Sequence, residues 1–70
     1  MMNPGDLVLL NDDHSVMLNY GDIGFQIIGG TEGRILQTNG HDSRCLVGFK
    51  VTEQVMLTAW LHVEDFKVIA

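Results

Sequence analysis

Seventy residues, 46% of them hydrophobic and 19% charged, with one proline and one cysteine, amount to a single small domain over 1–70 and exclude a multidomain, collagenous or disordered chain. Cys45 has no disulfide partner, no Cys and His residues stand at structural zinc spacing, and no apolar run nears the roughly 18 residues of a membrane span or follows a charged leader, so the reading is an unstapled core, no membrane partner and a cytoplasmic location. Nine acidic residues against four basic ones give a net charge of −5, which argues against direct nucleic-acid binding because that affinity rests mainly on Lys and Arg displacing counterions.

Pro4 and Gly5 form a turn, and Asp6 leads into Leu7, Val8, Leu9 and Leu10, an apolar run that reads as a buried strand. Asn11, Asp12, Asp13, His14 and Ser15 favour local side-chain hydrogen bonds to the backbone, so a loop is expected, with Val16, Met17 and Leu18 tucked beneath or beside it. After Gly21 and Asp22 the chain alternates, with Ile23, Phe25 and Ile27 on one face and Gly24 and Gln26 on the other, the period of a strand. Gly29 and Gly30 break that strand, Thr31, Glu32 and Gly33 prolong the turn, and Arg34 to Thr38 resume extended character, which reads as a hairpin across the glycines.

Asn39 and Gly40 separate two short runs and suit a type I′ turn, whose two central positions both need positive φ. Cys45, Val47, Phe49 and Val51 then alternate with Arg44, Leu46, Gly48 and Lys50, giving one apolar face and one mixed face, with Gly48 at a bulge or tight bend. Thr52 to Gln54 turn the chain before Val55, Leu57, Ala59, Leu61 and Val63 alternate with Met56, Thr58, Trp60 and His62; as a helix these apolar residues would not share a stripe. Glu64 and Asp65 interrupt as a tight 3₁₀ turn near residues 63–65, and Phe66 to Ile69 close the chain as a short strand. Short strands, Gly-rich turns and no crossover element give an all-β protein of five to six strands, which in so few residues closes best as a small antiparallel barrel.

The order Gly5, Asp6, Leu7, Val8, Leu9, a variable loop, then Gly21, Asp22, Ile23, Gly24 resembles the opening of SH3-like small barrels, among them KOW modules, the electron-transfer accessory protein of photosystem I and the barrel of nitrile hydratase beta chains. Val47, Gly48 and Phe49, with Trp60 through Ile69, are similar to the fourth strand, 3₁₀ turn and final strand of that architecture. The resemblance covers most of the chain and implies an SH3-like barrel acting as an accessory or interaction module. Two departures stand out: KOW modules that contact RNA carry basic residues where this chain has Asp12 and Asp13, and the Tyr-rich groove of signalling SH3 domains is missing.

For chemistry the chain offers little. His41, Asp42 and Cys45 form the nearest soft-ligand grouping, but strand alternation turns Cys45 toward the core, and paired zinc-site spacings are missing. A buried thiol is inert, Asp12 and Asp13 are solvated loop acids, and Gly29, Gly30 and Gly33 lack the helix N-terminus that a phosphate cradle requires. No nucleophile, base and orienter meet; the expectation is a non-enzyme with no metal and no cofactor.

Met56, Trp60 and His62 fall opposite the expected core set of their strand, with Tyr20 and Leu46 as extensions of the patch. Trp and Met supply large contact areas, and an exposed apolar stripe on a small protein marks an interface. Trp60 has two placements open to it, on that face or as the main core aromatic through an inverted register. The leading expectation is therefore a non-catalytic protein–protein interaction or accessory-subunit module, with a homodimer as one use of the same face. The alternative is a small acidic inhibitor or nucleic-acid mimic of phage or mobile-element type, occupying a basic groove through Asp12, Asp13, Asp22 and Glu32, since all four cations follow Gly33 and leave the first half uncompensated.

Overall fold

The computed structural model describes residues 2–70. Strands β1 (Leu7–Leu10), β4 (Glu32–Thr38), β5 (Arg44–Lys50), β6 (Met56–His62) and β7 (Phe66–Val68) form one antiparallel sheet of five strands in the order β6-β5-β4-β1-β7. Strands β2 (Ser15–Tyr20) and β3 (Ile23–Ile28) pair only with each other, and a 3₁₀ turn over Val63–Asp65 joins β6 to β7.

The core follows from strand alternation. Val8 and Leu10 of β1, Ile35 of β4, Cys45, Val47 and Phe49 of β5, Leu61 of β6 and Phe66 of β7 point to one side of the sheet and are buried there. The hairpin covers that side: Ile27 is buried among these residues, while Val16 and Leu18 pack against them half-buried. Burial of these aliphatic and aromatic groups is the main stabilising contribution in a chain with no disulfide.

The all-β antiparallel character and the 3₁₀ turn over 63–65 are as expected, and the trace adds detail that the sequence did not supply. Among the described residues there are seven strands, and the large sheet stays open instead of closing into a barrel, with β6 and β7 as its edges. Ser15, read as part of the loop, and Val16, Met17 and Leu18, read as tucked beneath or beside it, belong to strand β2, because Gly21 and Asp22 make a tight two-residue connection in which Tyr20 pairs with Ile23 and Gly21 takes φ +62°. Strand β3 therefore pairs backward with β2 and not forward across Gly29 and Gly30; β4 pairs with β1 and β5 instead. Asn39 and Gly40 do not form a type I′ turn, since neither has positive φ. The loop runs on through Ser43, held by His41 N–H donating to Asn39 Oδ1 (2.9 Å) and Arg44 N–H donating to Asp42 Oδ1 (3.0 Å), so these side chains satisfy the backbone that a tighter turn would have paired.

Candidate functional site

In an antiparallel ladder directly opposed residues point to the same side. On β5 and β6 the opposed pairs Cys45/Leu61, Val47/Ala59 and Phe49/Leu57 face the core, so the alternate pairs Arg44/His62, Leu46/Trp60, Gly48/Thr58 and Lys50/Met56 face outward. Met56, Trp60 and His62 are thus brought onto one face, and Leu46 lies directly across the ladder from Trp60. Trp60 is 47% exposed and Met56 54%, and the core closes without either. Of the two placements open to Trp60, the outer face is the observed one.

Tyr20 belongs elsewhere. It sits at the tip of the β2–β3 hairpin, opposite Ile23, where the inward-facing row Val16, Leu18 and Tyr20 runs past the end of the core and leaves both tip residues more than half exposed.

Leu36 joins the outer face by a route that alternation does not reveal. The register between β4 and β5 shifts between Ile35 and Gln37, leaving Leu36 as the extra residue of a bulge. Its Cδ1 lies 3.2 Å from where a Cβ on Gly48 would stand, and Met56 Sδ lies 2.7 Å from the same point. Gly48, buried within β5, is therefore the floor over which Leu36 and Met56 approach; the bulge expected at this glycine lies instead in the neighbouring strand. A shallow groove of about 490 Å³ continues from it, lined by Leu7, Arg34, Gly48, Lys50 and Met56 among others.

Charge is sorted by structure more sharply than by sequence. Arg34 opposes Gly48, Lys67 opposes Leu9, and Arg44 and Lys50 flank Leu46 on β5, so every cation of the chain projects from the outer face of the large sheet. One acid, Glu32 opposite Leu9, shares that face. The remaining acids, Asp6, Asp12, Asp13, Asp22, Asp42, Glu53, Glu64 and Asp65, lie in loops, turns and the 3₁₀ turn. The cations are lightly engaged: Arg34 Nη1 donates to Gly5 O at 2.7 Å, Arg44 Nε stands 3.6 Å from Asp42, and Lys50 Nζ 3.4 Å from Glu53.

The four acids singled out in the sequence do not assemble into one surface element. Asp22 is at the hairpin tip, Glu32 is on the cationic face, and Asp12 and Asp13 lie in the turn after β1. Asp13 is engaged: its Oδ1 is 3.2 Å from His14 Nδ1, while His14 Nε2 is 2.7 Å from Asp65 Oδ1. The hydrogen bond to Asp13 is the largest influence on the His14 pKa and, joined by the charges of Asp65 and Asp13, raises it from its usual 6.5 against the opposing effect of desolvation, and the bond from His14 lowers that of Asp13. Asn11 ties the same turn down, donating its N–H to Asp65 O (2.9 Å) and its side-chain amide to Glu64 O (2.6 Å).

Cys45 is 3% exposed on the core side, and burial pushes its thiol pKa up, the opposite of what an activated nucleophile requires. The loop residues His41 and Asp42 are exposed, and Asp42 is occupied by Arg44. Among the described residues no three His, Cys, Asp or Glu side chains converge as metal ligands, and no helix is long and apolar enough to cross a membrane.

No known protein family, curated protein or solved structure matches the chain.

Proposed function

We propose that this protein is a non-catalytic binding module of SH3-like type that docks another protein on the outer face of β5 and β6. The observation that carries the reading is the exposure of Trp60 and Met56 on one outer face, with half-buried Leu46 directly across from Trp60, on a sheet whose core is complete without them. Large apolar side chains left in water on so small a domain are a liability unless something covers them. The SH3-like assignment draws support from the β2–β3 hairpin lying between the first two strands of the large sheet and from the 3₁₀ turn immediately before its last strand.

The test is capture from a lysate of the native host, identification of the retained protein, and affinity measurement with purified components. Trp60→Ala is expected to weaken binding at least about tenfold, which corresponds to about 1.4 kcal/mol, while the melt stays cooperative and stability falls by about 1 kcal/mol or less, as for a surface position. Unchanged affinity in a folded Trp60→Ala variant overturns the reading.

A second reading, an acidic inhibitor occupying a basic groove, draws support from the concentration of acids in loops and turns away from the sheet face. It predicts capture that collapses with salt, depends on Asp12 and Asp13, and ignores Trp60.

A further inference from the structure

We propose that the occupant of the β5–β6 face is an extended protein segment, apolar in its middle and acidic at both ends, an inference that rests on the docking reading above. Charge complementarity carries it. In a chain with a net charge of −5, Arg44 and Lys50 on β5 and Arg34 on the adjoining β4 project from this face with Glu32 as the one strand-borne acid beside them, and the loop acids Asp42 and Glu53 hold Arg44 and Lys50 only through exposed ion pairs of 3.6 and 3.4 Å, which an incoming carboxylate can displace. Arg44 and Lys50 frame the apolar stripe. Arg44 and Lys50 lie on the same strand about 20 Å apart at the usual strand rise, with Leu46 between them and Trp60 and Met56 alongside. That separation matches an extended segment of about seven residues whose terminal carboxylates meet Arg44 and Lys50 and whose alternate side chains rest on Leu46, Trp60 and the Leu36–Met56 roof over Gly48.

Two other occupants fit less well. A second copy meeting this chain face to face would set cation against cation, and the apolar stripe offers on the order of 300 Å² where a stable dimer buries about 800 Å² on each partner. A single-stranded nucleic acid needs successive stacking rings and a denser cationic track, and this face has one indole between aliphatic side chains.

The test uses ¹⁵N-labelled full-length protein and an acetylated, amidated seven-residue peptide with Asp at both ends, Leu at its third and fifth positions and Ser elsewhere. Saturable amide shifts confined to β4, β5 and β6 are expected. The Asn-ended peptide should bind about tenfold more weakly, and the double variant Arg44→Glu with Lys50→Glu should lose the Asp-ended peptide by a similar factor and gain the Lys-ended one. Cooperative melting of each variant controls for folding.

Equal affinity for Asp- and Asn-ended peptides overturns the acidic-segment proposal and leaves apolar docking standing. If Trp60→Ala does not weaken any peptide, both fall together. Saturation by a thymidine oligonucleotide with none by the peptide replaces the occupant with a nucleic acid, and shifts that depend on protein concentration alone replace it with a second copy. Failure of every probe to saturate also overturns the proposal.

Discussion

At the scale of single residues, glycines show how the backbone decides what a position tolerates. A Cβ on Gly29 would stand 2.5 Å from both Cα and O of Asp12 and 2.6 Å from Asn11 O, so the chain leaving β3 passes directly against the turn after β1. Those neighbours are backbone, and the turn they belong to is fixed by the Asn11 hydrogen bonds to Glu64 and Asp65. Gly29→Ala therefore forces one segment to move and is expected to cost about 1–3 kcal/mol, the range for overpacking. At Gly48 the nearest atom to an added Cβ is Met56 Sδ, the mobile end of a flexible side chain. Gly48→Ala should cost less than Gly29→Ala and show its effect on the outer face, by displacing Met56 and Leu36. Urea denaturation of the two variants checks the order; a Gly48→Ala variant less stable than Gly29→Ala would contradict it.

At the scale of elements, the β2–β3 hairpin stands out because an isolated two-stranded ribbon is marginal in water. Its one fully buried side chain is Ile27, inserted among Val8, Leu10, Phe49 and their neighbours, with Val16 and Leu18 packed alongside. Ile27→Ala is expected to destabilise the protein by about 2–5 kcal/mol and to raise amide exchange in β2 and β3 above that in β4 and β5. Uniform exchange across both sheets would mean that the hairpin is not anchored separately. This element is also the least legible in the sequence. The strand period in β5 and β6 is clean, so their core faces, and the outward placement of Met56, Trp60 and His62, follow from alternation. Val16, Met17 and Leu18 form an unbroken apolar run that hides the alternation of β2, and the diagnostic pair Gly21-Asp22 is outweighed by the apparent signal of Asn39-Gly40. That signal misleads because His41, Asp42 and Ser43 lengthen the loop and satisfy its backbone locally. Leu36 is invisible for a different reason: a bulge changes the parity of every residue beyond it, and only pairing with β5 reveals where the extra residue falls. Likewise, the collection of Arg34, Arg44, Lys50 and Lys67 on one face depends on sheet order, which spacing along the chain does not encode.

At the scale of the whole molecule, the turn after β1 and the 3₁₀ turn before β7 are joined by one titratable group, so stability should carry a signature of His14. Its two ring nitrogens face two carboxylates, Asp13 and Asp65. A neutral imidazole has a single N–H, so only the imidazolium donates to both. Consistent with this, the folded-state pKa of His14 lies above its usual 6.5, and that of Asp13 lies below its usual 3.8. The signs follow by linkage. A raised histidine pKa contributes stability that is complete below the unfolded value and is lost as the pH climbs through the folded value. A lowered aspartate pKa contributes stability that is present above the unfolded value and is lost as the pH falls through the folded value. The strap is therefore strongest from about pH 4 to about pH 6.5, the interval between these two reference values, and weakens toward pH 8. The expected result is that the Tm difference between the wild type and His14→Asn is largest near pH 5.5 and shrinks by pH 8, with Asp65→Asn reducing the effect in the same window. Asp13 is exposed and Asp65 partly so, and added salt should therefore shrink it further. A Tm difference that stays constant from pH 5.5 to 8 would assign the contribution of His14 to packing and hydrogen bonding in its neutral form, and remove the imidazolium from the account of how the two turns are held together.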